Sequence, residues 1–181
     1  MRYPFIQNIF SHHHYFEKLK AIYKYMDEKY LEAASYYGFI CKGCEDNCCR
    51  THFYHHTFVE YLYLFEGFKT LSDEEQLKIN GNIDKPEICP LNFNGLCRLY
   101  DFRPMICRLH GIPHELHKPG FNTMKSVGCD CFYKNCGGKK YLQFDRTPFY
   151  FKVAEIEKEL KQQSKINDKF KLTIAEMIKT F

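Results

Sequence analysis

The sequence predicts a mainly α-helical single domain, residues 1–181, with helices at both ends wrapped around an irregular cysteine-rich core at 41–136. Two stretches predict the flanking helices, because apolar residues recur at three- and four-residue spacing in 12–37 and again in 148–180. The core is predicted because prolines and glycines interrupt that pattern over 82–138, where six of the ten cysteines lie. A chain of 181 residues suits one domain.

Two helices are predicted in the N-terminal part of the chain. Phe16 and Leu19 belong to the apolar face of the first helix, 12–37, and Gly38 is its predicted C-terminal stop. A more apolar second helix is predicted over 57–67. These helices supply the apolar surface that a core needs.

Capping residues mark three further helix starts. Ser72 and Glu75 have the spacing of a capping box and open a third helix. Thr147 is the predicted N-cap of the C-terminal helix, and the next residue is a proline, which suits the first helical position. Thr173 and Glu176 form a second capping box before a short last helix.

Composition argues against several classes of function. The formal charge is only +4 and there is no basic arm, so nucleic-acid binding is not evident. No stretch reaches the roughly 18 apolar residues of a membrane-spanning helix, and residues 1–10 lack the apolar region of a signal peptide. We therefore expect a cytoplasmic protein without a membrane partner.

The cysteines determine the predicted chemistry. A disulfide framework conflicts with a reducing cytosol, so we interpret the thiols as metal ligands. The ten are Cys41, Cys44, Cys48, Cys49, Cys89, Cys97, Cys107, Cys129, Cys131 and Cys136.

The first four cysteines give the strongest signal. Cys41 and Cys44 form a Cys-x-x-Cys pair, which can turn both sulfurs toward one metal. Cys48 and Cys49 are adjacent, and neighbouring side chains of extended backbone point to opposite sides. Either the two serve different sites or only one of them is a ligand.

Arginines accompany the cysteines. The chain has 20 lysines but only six arginines, and four of the six lie in the cysteine-rich core. They are Arg50, Arg98, Arg103 and Arg108. Thiolate ligands leave a metal site with net negative charge, and guanidinium groups can neutralise it and donate directed hydrogen bonds. We expect these arginines to surround the bound cofactor rather than to form ordinary surface ion pairs.

The order of the motifs resembles a cysteine-cluster family described as a zinc- or iron-chelating domain. The matching motifs are the CxxCxxCC-like pattern at 41–49, Cys-Pro-Leu at 89–91, Gly-x-Cys at 95–97 and Tyr-x-x-Arg-Pro-x-x-Cys-Arg at 100–108. Cys129 is the best match for a late cysteine of the family. The aromatic residue usual after Cys-Pro is absent here.

The resemblance implies metal binding. The implied ligands are eight cysteines, and Cys131 and Cys136 exceed that number and are predicted spares. The eight are Cys41, Cys44, Cys48, Cys49, Cys89, Cys97, Cys107 and Cys129. The family also includes a domain of flagellin lysine N-methylases, but no glycine-rich S-adenosylmethionine site is recognisable in this sequence.

The cofactor has two candidates. Dispersed ligands and the Cys89–Pro90 pair slightly favour a [4Fe–4S] cluster, and zinc is the alternative. The first cluster (Cys41, Cys44, Cys48 and Cys49) lies about 40 residues before the second cluster (Cys89, Cys97 and Cys107). Because closing such a loop costs far less than metal binding returns, we expect one site to draw ligands from both.

The sequence leaves activity open. A redox or methyl-transfer enzyme component and a non-catalytic zinc-stabilised interaction module both fit, with an unknown substrate or a protein as partner. His55, His110, His114 and their neighbours are interpreted as hydrogen-bonding or surface residues rather than as ligands.

Overall fold

The computed structural model describes residues 13–41, 49–50, 53–85 and 87–181. About 52 % of the chain is helical, so the predicted mainly α fold is confirmed. The described residues form seven α-helices and four short strands. They are α1 (His13–Tyr37), α2 (Phe58–Lys69), α3 (Asp73–Asn80), β1 (Asn92–Phe93), β2 (Leu96–Cys97), α4 (Met105–Leu109), β3 (His114–Leu116), β4 (Met124–Ser126), α5 (Asp130–Cys136), α6 (Thr147–Ser164) and α7 (Ile174–Ile178).

The two long helices pack against each other. Leu19 and Met26 of α1 and Leu160 of α6 have no exposed surface, so the predicted apolar stripes meet in the core. The rings of Tyr25 and Phe149 add a contact at 5.9 Å between centroids. We call α1, α2 and α6 the helical frame, because this apolar packing holds them together without the cysteines.

Helix α2 is enclosed on most sides. Nine of its 12 residues are buried, which explains why it is apolar around most of its circumference. The Val59 amide donates to Glu157 Oε2 of α6 at 3.0 Å. At the other end of the chain, the ring of Phe181 lies 4.9 Å from that of Phe65.

Both predicted capping boxes are present. Ser72 with Glu75, and Thr173 with Glu176, exchange the expected pairs of hydrogen bonds. Gly38 ends α1 with φ +60°, a conformation that favours glycine. The prediction for Thr147 was one residue off: it is the first helical residue, and Asp145 Oδ1 accepts its amide at 2.8 Å.

The segment 82–138 has more regular structure than predicted. Helices α4 and α5 have five and seven residues, too few to produce a recognisable periodicity. Strands β1 and β2 pair antiparallel around Asn94 and Gly95, whose φ values of 54° and 82° suit a tight hairpin. Strands β3 and β4 form a second antiparallel pair.

The C-terminal region forms two helices, and the second is the short last helix that the Thr173–Glu176 capping box predicted. Helix α6 ends at Ser164, and Lys165 follows with φ 53°. His55 and Leu172 then exchange two backbone hydrogen bonds of 2.8 and 3.1 Å, which attach the segment before α7 to the segment before α2. In the part of the chain that the structure describes, no helix has both the length and the apolar character needed to cross a membrane.

Candidate metal centre

Five cysteines from both predicted clusters line one cavity of about 270 Å³, which we call the thiol cavity. They are Cys41, Cys49, Cys89, Cys97 and Cys107. Leu64, Leu91 and Ile174 supply apolar wall, and Arg103 supplies a positive charge. The fold therefore collects, around one space, thiols that lie up to 66 residues apart in sequence.

A backbone hydrogen bond joins the two clusters. The Cys89 amide donates to the Cys49 carbonyl at 2.6 Å. Cys41 enters from the end of α1, where the turn at Gly38 lets the Phe39 amide reach the Ala34 carbonyl at 2.8 Å. Each of the first-cluster cysteines that the structure describes is thus held by main-chain geometry rather than by a side-chain contact alone.

The β1–β2 hairpin positions Cys97. Cys97 lies opposite Asn92, and Asn92 Oδ1 accepts the Gly95 amide at 3.0 Å within the turn. The Asn92 amide in turn donates to the Cys89 carbonyl at 2.9 Å. Cys89 and Cys97 are therefore coupled through one hairpin.

Helix α4 positions Cys107 and is anchored to the helical frame. Glu60, a buried acid among the apolar residues of α2, accepts the Met105 amide at 2.7 Å and the Tyr23 hydroxyl at 2.8 Å. Its place in an apolar helix was a sequence signal that our prediction did not use. The Cys107 amide then donates to the Pro104 carbonyl at 3.0 Å.

Burial determines the protonation of three cavity thiols. It raises the pKa of Cys89 to about 12 and that of Cys97 to about 11, and it raises the pKa of Cys107 well above its usual range. The charges of Arg103 and Arg108 act in the opposite direction on Cys97. These thiols lack the depressed pKa of a cysteine nucleophile, whereas a bound metal displaces the proton of even a buried thiol.

The four predicted arginines occupy different surroundings. Arg103 lines the thiol cavity and donates to the Tyr100 carbonyl at 2.9 Å, with its guanidinium 3.4 Å from the centre of the Tyr100 ring. Arg98 instead forms an ion pair with Glu75 of α3. Arg50 is exposed.

Arg108 ties the cysteine-rich segment to α1. Its side chain is 6 % exposed, and it donates to Asp27 Oδ2 at 2.7 Å and to the Arg103 carbonyl at 2.8 Å. It also hydrogen-bonds the Asp101 carbonyl and lies 4.2 Å from the centre of the Tyr23 ring. Arg108 therefore orders the loop that carries Arg103 while contributing positive charge near Cys97.

Cys129 lies apart from the five cavity cysteines but close to Tyr30. The Cys129 amide donates to the Gly111 carbonyl at 3.0 Å, and a Cβ atom placed on Gly111 would lie 2.5 Å from the Tyr30 hydroxyl. Burial, followed by the charges of Cys41 and Cys129, raises the pKa of Tyr30. Cys129 Sγ accepts the Phe132 amide at 3.3 Å and so caps α5.

The two predicted spare cysteines lie on α5. Cys136 is buried and its thiol donates to the Tyr37 carbonyl at 3.5 Å. Cys131 is partly exposed, and Asn135 Nδ2 lies 3.6 Å from its sulfur. Cys136 is packed as a small core residue.

Two predicted ligands, Cys44 and Cys48, lie outside the described residues. Within 13–41, 49–50, 53–85 and 87–181, no group of three or more His, Cys, Asp and Glu side chains is arranged to hold a metal ion. The eight-cysteine ligand set thus stays a prediction.

None of the histidines that the structure describes lines the thiol cavity. His114 is buried, with Nδ1 3.0 Å from the Ile112 carbonyl, and His117 hydrogen-bonds Glu115. Burial lowers the pKa of His110 and lowers that of His114 to about 4. His55 lines a space next to the cavity thiols, together with Cys49, Cys89 and Cys107.

Comparison with known proteins gave no similarity to report: no family model, curated protein or solved structure matches this chain.

Proposed function

We propose that this protein binds a metal centre through cysteine thiolates in the thiol cavity. The observation that carries the proposal is the convergence of Cys41 and Cys49 with Cys89, Cys97 and Cys107 around one space. An unpaired thiolate charge is costly in a buried site, and ligation of a metal would compensate that cost.

The residues fit such a centre in type and in charge. Sulfur donors suit zinc and iron–sulfur clusters, and Arg103 with Arg108 would offset the negative charge of several thiolates. When bound, an iron–sulfur cluster would supply one-electron redox chemistry, whereas zinc would supply structural cross-linking. Cys44, Cys48 and Cys129 complete the proposed ligand set.

A [4Fe–4S] cluster is slightly preferred. Its ligands are dispersed along the chain as in cluster proteins, and the Cys89–Pro90 pair is typical of such sites. This assignment agrees with the resemblance to the cysteine-cluster family, to which we propose the chain belongs. A reducing cytoplasm, the proposed location, would keep the thiols available for a metal.

A non-catalytic, zinc-stabilised interaction module is the second candidate. Cys89 and Cys107 are partly enclosed, and this favours the module because a closed structural site needs no exchangeable ligand. In that case the partner is a protein rather than a substrate. Redox behaviour distinguishes the candidates: a cluster should bleach reversibly with dithionite, and a zinc site should not respond.

Metal analysis of anaerobically purified protein tests the proposal. We expect iron and acid-labile sulfide in equal amounts, with a visible absorption band. Stoichiometric zinc without sulfide would contradict the cluster and favour the zinc-stabilised interaction module. If neither metal co-purifies, and neither zinc nor reconstitution with iron and sulfide loads the protein, cysteine-based metal binding is wrong.

A further inference from the structure

A second and larger cavity lies on the other side of α4 from the thiol cavity. Its volume is about 620 Å³, within the range of small-molecule sites. Its walls come from residues 54–57, the α4 residues Met105 and Ile106, the loop between β3 and β4, and the first turns of α6. The backbone of Glu115 fixes two of these walls together, because its carbonyl accepts the Arg146 amide at 3.0 Å.

Two buried nitrogen atoms in this cavity lack a hydrogen-bond partner. Among the described residues, His55 Nε2 and Arg146 Nε find none. His55 is only 3 % exposed, so its ring cannot turn to bulk water. Buried polar groups are nearly always paired, and an unpaired one in a cavity wall points to a ligand that supplies the missing partner.

The two acids in the cavity wall, Glu60 and Glu157, are engaged by groups other than its two cations. Glu60 already accepts from three donors, the Tyr23 hydroxyl, the Met105 amide and the Thr57 hydroxyl. Lys118 and Arg146, in contrast, have no carboxylate within 4.0 Å in the part of the chain that the structure describes. The cations therefore remain available to an anion.

The second acid, Glu157, is engaged by groups other than these two cations, although its Oε1 has no hydrogen-bond partner among the described residues. Glu157 accepts the Val59 amide through Oε2, and its Oε1 lies 3.3 Å from the Lys161 ammonium. The remaining walls are apolar and include Leu116, Tyr150 and Phe151. Such a surface accepts a flat or aliphatic body beside the charged end.

We infer that this cavity binds a small organic anion, a carboxylate or phosphate monoester carried on an aromatic or aliphatic body. Arg146 and Lys118 contact the anionic group, and His55 hydrogen-bonds a second polar group of the ligand. The inference goes beyond metal binding and does not depend on it. Helix α4 separates this ligand from the thiol cavity, because Met105 and Ile106 line one space and Cys107 lines the other.

Calorimetric titration with phenyl phosphate and benzoate tests the charge requirement. We expect at least one of them to bind, and benzylamine and benzyl alcohol to bind at least tenfold more weakly.

Arg146→Gln should weaken binding roughly tenfold or more, because it removes a charge-assisted hydrogen bond. Lys118 is exposed, so Lys118→Gln should fold normally and weaken binding by roughly two- to fivefold. Lys134→Gln, which alters an exposed lysine of α5 outside the cavity, is the matched control.

The methionines report where the probe binds. Met105 and Met124 line the cavity, whereas Met26 and Met177 lie in the core elsewhere. In protein labelled with ¹³C at the methionine methyl groups, phenyl phosphate or benzoate should shift only the first pair. Binding of benzylamine as tight as that of the anions, shifts confined to Met26 and Met177, or no saturable binding of either anion would overturn the inference.

Discussion

Cys107 and Cys136 each lie in a short helix of the same chain, yet the fold uses them differently. Cys136 packs in the core beneath α1, with its thiol donating to the Tyr37 carbonyl. Cys107 faces a cavity shared with four other thiols. The difference shows that the presence of a cysteine in the sequence does not by itself place its thiol at the cavity.

The helical frame and the cysteine-rich segment are also stabilised by different kinds of contact. The frame buries fully enclosed leucines and methionines, which stabilise it through apolar contacts. The segment around the thiol cavity depends on short hairpins, backbone hydrogen bonds and the Glu60 and Arg108 anchors. We therefore expect metal to stabilise the segment and to leave the frame largely unaffected.

The largest effect is expected from Cys107→Ser. Removing a proposed ligand should lose most of the bound metal and lower the melting temperature, because structural metal binding contributes on the order of 10 kcal/mol. Cys136→Ser is the control: it should keep the metal and lose only about 1–3 kcal/mol from a polar atom in the core. Metal content and thermal unfolding of both variants check this. Equal metal loss in the two would contradict the distinction between the two groups.

An intermediate effect is expected in the helical frame. Leu160→Ala removes a side chain with no exposed surface and should lower the free energy of unfolding by about 2–5 kcal/mol. Leu31→Ala in α1, where the side chain is 65 % exposed, should change it by no more than about 0.5 kcal/mol. Both variants should retain metal when assayed under native conditions. Metal loss in Leu160→Ala without unfolding would show that frame and cavity are not separable.

A smaller effect is expected from pH through His114. Burial, and then the charge of Arg146, lowers the pKa of His114 to about 4, below its value of 6.5 in the unfolded chain. The unfolded state therefore binds more protons between these values, and stability falls as pH drops from about 6.5 toward 4. The loss amounts to at most about 3 kcal/mol.

Denaturant unfolding across this pH range measures the effect. His114→Gln should flatten the dependence, whereas His56→Gln, at an exposed position, should leave it as in the wild type. If the free energy of unfolding falls equally with pH in wild type and His114→Gln, His114 does not control the loss of stability at acidic pH.

Local sequence rules predicted the parts of the fold that depend on neighbouring residues. The Ser72–Glu75 and Thr173–Glu176 boxes and the stop at Gly38 were found because each is complete within four residues. Helix α5 was missed in part because a thiol, Cys129, caps it in place of the hydroxyl, carboxylate or amide groups that capping rules favour.

The sequence predicted which residue types form the candidate site. It did not predict which contacts hold those residues in place. The small cost of closing the loop between them predicted that the first and second clusters share a site, but Glu60 and Asp27 reach the cysteine-rich segment only through tertiary contacts. The ion pair of Arg98 with Glu75 likewise depends on where α3 lies. The ligand set and the metal stay predictions.

The last wall of the space beside the cavity thiols comes from Thr173, Ile174 and Ala175, which follow the bridge between His55 and Leu172. During translation, Cys107 emerges about 65 residues before this wall, a delay of roughly 3–13 s at ordinary elongation rates. The nascent chain thus presents its thiols on an open face before the final helix covers them. Under the proposed metal binding, we expect loading to be easier in that interval than after the segment before α7 has paired with the segment before α2.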